Sequence, residues 1–187
     1  MAEGLGLQAL PAAPPSAQPV QDLPPSAALQ TFGKLKHTLA GRSIGILVAD
    51  GSDGRAIGAL KKAALAAGAS VKVVAPRIGG VTLADGSALA VDGQLAGTPL
   101  VMFDAVAVLL SAQAAKALSA ESAAVDFVRD AYGHLKALAV DAGVQDLLQA
   151  CGVRPCAGVV AVTALAEFLR AATTRQWDRE RSVRSLA

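Results

Sequence analysis

Residues 42–76 read RSIGILVADGSDGRAIGALKKAALAAGASVKVVAP, and this stretch decides the fold class. It opens on a nearly continuous apolar run, RSIGILVAD, as expected of a strand covered on both faces. Ile57, Leu60, Ala64 and Leu65 then recur at helical spacing, with Lys61 and Lys62 on the opposite side. Gly68 stands where a helix ends in a left-handed residue. SVKVVAP at 70–76 is a second strand. Strand, helix and strand in so few residues form a βαβ unit, whose crossover is right-handed in nearly every protein.

The same alternation continues downstream. DAVAVLLS (104–111) is a buried strand. AESAAVDFVRDAYGHL (120–135) is a helix with Val125, Val128, Tyr132 and Leu135 on one face and Asp126, Arg129 and Asp130 on the other. Residues 136–140, KALAV, form the next strand, followed by a helix to about residue 150. AGVVAV (157–162) is a short final strand. TALAEFLRAAT (163–173) is a helix with Leu165, Phe168, Leu169 and Ala172 as its core stripe. Residues 77–100 break the pattern: Asp85-Gly86 and Asp92-Gly93 are turn dipeptides between short β-type runs, a small hairpin excursion from the main sheet. The fold class is α/β, a flavodoxin-like doubly wound parallel sheet. The domain spans 38–175, with a proline-rich linker at 1–37 and a charged tail at 176–187. Linker composition predicts that the first 30 or so residues are mobile.

Composition narrows the function classes. The chain of 187 residues is long enough for one domain with a real core. Charged residues make up only 17%, and the net charge of +2 is too small to point to nucleic acid or an anionic membrane. No run reaches the roughly 18 apolar residues of a membrane span. The N-terminus lacks the basic start and apolar run of a signal peptide. Cys151 and Cys156 are too few for a disulfide framework. With His37 and His134 remote in sequence, they do not make a four-ligand zinc site. The expectation is two reduced thiols in a cytoplasmic compartment.

In open α/β sheets ligands bind beyond the carboxyl ends of the strands. Three segments fall there: DGSDG (50–54), SAQAAK (111–116) and Asp141 with Ala142-Gly143. DGSDG could cradle a phosphate on a helix N-terminus, but Asp50 and Asp53 repel one and only Arg55 is basic. The acid pair could hold Mg²⁺, yet the lysine and central aspartate that such sites use are not in place. The plainer reading is a turn whose acids suit the dipole of the next helix. Asp141 sits at a strand-to-helix turn, the place where many α/β enzymes mount a nucleophile. No histidine follows it to activate water, so the residue reads as a helix cap. The tail RQWDRERSVRSLA mixes acids with its basic residues around Trp177, and reads as a solvated tail with Trp177 anchored on the fold.

The segments GRSIGILVADGSDG, AGASVKVVAP, VDGQLAGTP, FDAVAVLLS, AVDFVRDAYGHLKALAVDAG and TRQWDRE together resemble the C-terminal domain of large-subunit, hydroperoxidase II type catalases. The proline-rich segment resembles the linker to the catalase core, and EGLGL the end of that core. This domain belongs to the class I glutamine amidotransferase-like superfamily. The resemblance implies that active members carry a cysteine where Asp141 stands, supported by an acid after the first strand and a downstream histidine. Here the acid's place reads SDGRA and the histidine is missing. The implied role is a non-catalytic accessory domain that supports stability, oligomer assembly or chaperone-like activity. No catalytic, cofactor or metal residue is expected, and position 141 is a vestigial elbow. Haem belongs to the parent core, and the implied partners are that core, the parent homotetramer and unfolded clients. The alternative is an amidotransferase- or deglycase-like hydrolase acting at Asp141 or a cysteine. A domain taken from an assembly should also leave an apolar patch exposed.

Overall fold

The computed structural model describes residues 36–184 continuously. Before them it describes only Ala2, Gly4, Gly6, Gln8, Ala9, Ala12, residues 26–30 and Lys34. The expectation of a mobile linker falls mostly outside the described residues. Contacts divide the chain into 1–35 and 36–187. In the first unit a turn at 26–30 is closed by Leu29 and Gln30 N–H groups donating to the Ser26 carbonyl.

The second unit is a three-layer α/β/α domain. Its strands are β1 (Ser43–Val48), β2 (Ser70–Ala75), β3 (Val81–Thr82), β4 (Ala88–Leu89), β5 (Gly93–Gln94), β6 (Ala105–Leu109), β7 (Ala137–Val140) and β8 (Val159–Ala161). Its helices are α1 (Gly54–Ala66), α2 (Ala112–Leu118), α3 (Ser122–Gly133), α4 (Gln145–Ala150), α5 (Leu165–Ala171) and α6 (Glu180–Arg184). Six strands form one parallel sheet in the order β5-β2-β1-β6-β7-β8. The order reverses between β1 and β6, which is where a doubly wound sheet opens a crevice. Alternate strand residues feed two cores, because successive side chains point to opposite faces. Ile44, Ile46, Val48, Ala107 and Leu109 pack on one side with Leu60 and Phe168. Leu47, Val106, Val108 and Leu138 pack on the other with Phe127, Val128 and Leu147. Gly45 is required by this packing: a Cβ there would lie 2.8 Å from the Phe103 ring. That ring meets Phe127 edge-on, with centroids 6.0 Å apart.

Several sequence expectations need correction. Leu65 is 52% exposed. At 3.6 residues per turn it lies about 100° from the centre of the Ile57–Leu60–Ala64 stripe. In α3 the fully buried face carries Phe127 and Ala131 beside Val128 and Tyr132, while Val125 is half-buried. SAQAAK is largely helical: Ser111 caps α2, its hydroxyl accepting from the Ala114 N–H at 3.2 Å. The first turn dipeptide does make the hairpin, β3 with antiparallel β4 around Gly86 at φ 83°. Asp92-Gly93 does not turn. The Asp92 carboxylate accepts from the Val73 N–H at 2.7 Å, and Gly93 starts β5, which joins the sheet edge parallel to β2. Trp177 is 42% exposed, whereas Arg179 is 4% exposed. The buried anchor of this segment is the arginine. The large exposed hydrophobics of the domain are scattered over Leu65, Ile78, Trp177 and the adjacent pair Val101 and Met102. Among the described residues no helix is long and apolar enough to cross a membrane.

Candidate functional site

The three segments expected beyond the strand ends do converge. Ser52 is fully buried and ties the first of them to the end of β6: its hydroxyl accepts from the Ala49 N–H at 3.0 Å and donates to the Leu109 carbonyl at 2.6 Å. A Cβ on Gly51, whose φ is +81°, would sit 3.3 Å from the Ser111 hydroxyl. A Cβ on Gly143 would sit 3.0 Å from the Ala112 nitrogen. Next to this junction lies an open cleft of about 900 Å³. Its polar lining comes from Asp50, Arg77, Gln94, Ser111, Gln113 and Glu121. Most of the remaining wall is alanine and glycine.

The acids of DGSDG are occupied by the backbone. Asp50 accepts from the Thr82 N–H at 2.8 Å and so ties the loop to the hairpin. Asp53 is the N-cap of α1, accepting from the Arg55 N–H at 2.8 Å. Among the described residues no three His, Cys, Asp or Glu side chains come together as a metal site.

Asp141 follows β7 and precedes a short 3-10 turn, Ala142–Val144, that leads into α4. Its carboxylate accepts from the Ala142 N–H at 3.1 Å. That donor is the next residue in the chain, not the second or third residue of the helix that a strong cap serves. Its backbone lies at φ −75° and ψ 156°, ordinary extended geometry. A nucleophile elbow is a strained turn. Among the described residues the one non-glycine at positive φ is Leu135, at 59°. No histidine follows Asp141 in the sequence. His134 precedes β7, so about 13 Å of strand separates it from the elbow at about 3.3 Å per residue. Its Nδ1 is 2.8 Å from the Asp130 carbonyl. His37 is exposed and lies six residues before β1.

A second constellation was invisible in the sequence. Arg179, buried between α3 and the 155–158 loop, donates from Nη1 to the carbonyls of Tyr132 and Lys136, each at 3.0 Å. Its guanidinium lies 4.2 Å from the centre of the Tyr132 ring. Nη2 donates to Cys156 Sγ at 3.2 Å. Lys136, also buried, donates from Nζ to the carbonyls of Leu100 and Phe103 at 3.0 and 2.5 Å. Burial, then the nearby Arg175 cation, lowers its pKa from the usual lysine value, with Asp104 and Asp130 acting the other way. Burial pushes the Cys151 thiol up to about 11. No spacing rule pointed to Arg179, because it sits in a run of alternating charges that reads as solvated.

Residues 40–180 match the family described as the C-terminal domain found in long catalases. Catalase C of Rhizobium meliloti is 35% identical over 187 residues, 96% of this chain and 26% of that protein. Catalase HPII of Pseudomonas aeruginosa is 32% identical over 191 residues, 100% of this chain and 26% of that protein. The chain thus spans about a quarter of the length of these curated relatives. Among solved structures, oxidized DJ-1 of Toxoplasma gondii aligns with a TM-score of 0.59 at 13% identity, covering 78% of this chain and 97% of that one. A two-domain protein of Anabaena variabilis, with DJ-1/ThiJ/PfpI-like and ferritin-like domains, aligns at 0.56 and 19% identity, covering 62% and 34%. At such identities the likeness is one of fold, a DJ-1/PfpI-like α/β sheet. The match along the sheet-forming residues and the agreement with two full-coverage relatives lead to one conclusion: the chain belongs to the family of C-terminal domains found in long catalases.

Proposed function

We propose that the chain is a non-catalytic accessory domain of a long haem catalase, whose parent reaction is the disproportionation of hydrogen peroxide to water and oxygen. Its work is to stabilise the parent, support assembly of the homotetramer and shield unfolded clients in the cytoplasm. The observation that carries this reading is position 141. A carboxylate held by its own neighbour's amide, on relaxed backbone, occupies the place of a nucleophile. Its carboxylate is engaged by its own backbone, and no histidine follows it in the sequence to activate water for a covalent intermediate. Hydrolysis at Asp141 or at the buried Cys151 therefore finds no support in the geometry.

The catalase family implies haem, and the residues of this chain do not fit it. Haem iron is held by His, Cys, Met or Tyr. The cleft of about 900 Å³ has none of these in its lining. Tyr132 is 5% exposed and lies under the Arg179 guanidinium. Haem chemistry thus belongs to the parent core. What the domain offers is surface, including the turn at Leu100–Met102, where Val101 is 83% exposed.

The test compares a long catalase ending in this chain with the same protein truncated before residue 36. Peroxide turnover per haem should be retained, and the half-life of inactivation at elevated temperature should fall. Equal half-lives, with no effect of the isolated chain on aggregation of an unfolded client, would remove the reading. Amide or glyoxal hydrolysis by the isolated chain, lost in Asp141→Asn, would replace it with an enzymatic one.

A further inference from the structure

We propose that Cys156 is a peroxide-reactive thiol, oxidised to a sulfenic acid in a site built by Arg179. The inference does not depend on the accessory role. The sulfur is half-buried and borders a cavity of about 250 Å³, lined also by Tyr132, Arg154, Gln176 and Arg179. Such a space admits hydrogen peroxide or a small organic hydroperoxide. Arg179 lines the same cavity at 4% exposure, and among the described residues its Nε has no hydrogen-bond partner. Buried polar atoms without partners are rare and call for a reason. Among the described residues no carboxylate lies within ion-pair distance of Arg179. Among the described residues its only side-chain acceptor is the Cys156 sulfur. Gly158 makes the approach possible: a Cβ there would come within 2.6 Å of Arg179 Nη2 and collide with Gln176.

The chemistry follows from that pairing. Sγ attacks one oxygen of the hydroperoxide. The S–O bond forms, the O–O bond breaks, and sulfur loses two electrons to the departing oxygen. The thiol proton ends on that oxygen, giving water from hydrogen peroxide or an alcohol from an organic hydroperoxide. The guanidinium stabilises negative charge as it moves through the reacting atoms. The sulfenic oxygen then supplies an oxygen acceptor beside a guanidinium that has a donor to spare. Cys151, five residues earlier, provides an internal contrast. It is 4% exposed, its sulfur is 3.5 Å from the Val125 carbonyl, and its pKa is raised to about 11. Electropositive, partly exposed cysteines react, whereas buried ones are inert.

The 187-residue chain is treated with equimolar hydrogen peroxide in the presence of dimedone, which traps sulfenic acids, and the adducts are mapped by peptide mass spectrometry. Cys156 should be trapped faster than N-acetylcysteine at the same pH, on the order of tenfold, with little label on Cys151. Cys156→Ser should remove the label. Arg179→Lys, which gives up the guanidinium fork, should slow trapping at Cys156 severalfold. If that variant does not fold, the comparison of native chain with N-acetylcysteine still decides. Trapping no faster than N-acetylcysteine, or equal at the two cysteines, overturns the proposal.

Discussion

Arg179→Met removes a buried cation and keeps most of its aliphatic volume, so it isolates what the guanidinium contributes. Two hydrogen bonds from a charged donor to the carbonyls of Tyr132 and Lys136 are lost, together with a weaker one to the Cys156 sulfur. Each bond to a carbonyl is worth about 1.5–3 kcal/mol net. The stacking on Tyr132 adds about 0.5–2 kcal/mol. Against this stands the desolvation cost of a buried ion, several kcal/mol, which the methionine relieves. The Tyr132 carbonyl also keeps a second donor, the Leu135 N–H at 3.1 Å. The balance is a loss of about 2–4 kcal/mol. Urea unfolding at pH 7, followed by far-UV circular dichroism with the m-value checked for constancy, measures it. Arg129→Met is the control: its partner Asp126 is 3.3 Å away and both side chains are more than half exposed, so the cost should stay within about 1 kcal/mol. Trp177→Ala should cost less than Arg179→Met, since the ring is partly in water. A loss below about 0.5 kcal/mol for Arg179→Met, or one smaller than that of Trp177→Ala, would refute the arginine as anchor.

The other expectations concern the elbow, the helix ends and the thiol. Asp141→Ala should cost about 0.5 kcal/mol, the low end for a cap, because the carboxylate serves only the Ala142 N–H; Asp141→Asn should be nearly neutral. An Asn variant as damaging as Ala in the same urea assay would count against the cap. Gly68→Ala and Gly152→Ala both force φ near +85° and +69° on an L-residue, at about 1–2 kcal/mol each. The first should be worse, because its Cβ would also press within 3.3 Å of Ala40 while Gly152 faces open space; equal shifts in melting temperature would contradict this. Cys151 sets an alkaline limb. Its folded pKa is raised from 9.0 to about 11, so the unfolded chain loses the proton first and stability falls as pH rises from 9 through 11. The loss is about 2–3 kcal/mol at most. Lys136 works in the opposite sense, since its lowered pKa means the unfolded chain binds the proton longer and stability rises with pH in the range below 10.5. Stability measured against pH for Cys151→Ala should fall less steeply than for the native chain.

The parts of the fold that the sequence disclosed were those set by short-range pattern. β1, β6 and β7 are buried on both faces, as is the second half of β2, so their apolar runs stand out. Gly68 marked the end of α1 because the last turn needs a left-handed residue, with the Ala69 N–H donating to the Ala64 carbonyl. β5 was hidden because two residues carry no period. Its place is set by Asp92 reaching across to the Val73 N–H, a contact 19 residues away in sequence. Leu65 misled because an alanine-rich helix offers few landmarks for its phase. The aspartate at the turn after β7, Asp141, was legible because it rests on residue identity and a short apolar run alone. Arg179 was not, because its burial depends on Tyr132, Lys136 and Gly158, which only the folded chain brings to it.

Backbone strain lies at the opposite end of β7 from Asp141. In a nucleophile elbow the strained residue carries the reactive group and is held there by the surrounding fold. Here β7 has a relaxed residue at its carboxyl end, Asp141, and a strained one just before its amino end, Leu135. A non-glycine residue in the left-handed region costs about 1–2 kcal/mol, and it persists only where its neighbours over-determine it. At Leu135 they do. The Leu135 and Lys136 N–H groups close the end of α3 on the carbonyls of Tyr132 and Ala131, and the Gln176 N–H donates to the Leu135 carbonyl at 2.7 Å. Its side chain is 8% exposed. α1 and α4 end in the same way but with glycine, at Gly68 and Gly152. The leucine therefore keeps its buried side chain at the expense of backbone ease. The same sharp exit sends Lys136 into the core beneath the 100–103 turn and leaves the carbonyls of Tyr132 and Lys136 within reach of Arg179. The fold thus concentrates its buried cations and its backbone strain at the amino end of β7, beside Cys156, and leaves the carboxyl end, where an enzyme of this architecture would work, relaxed.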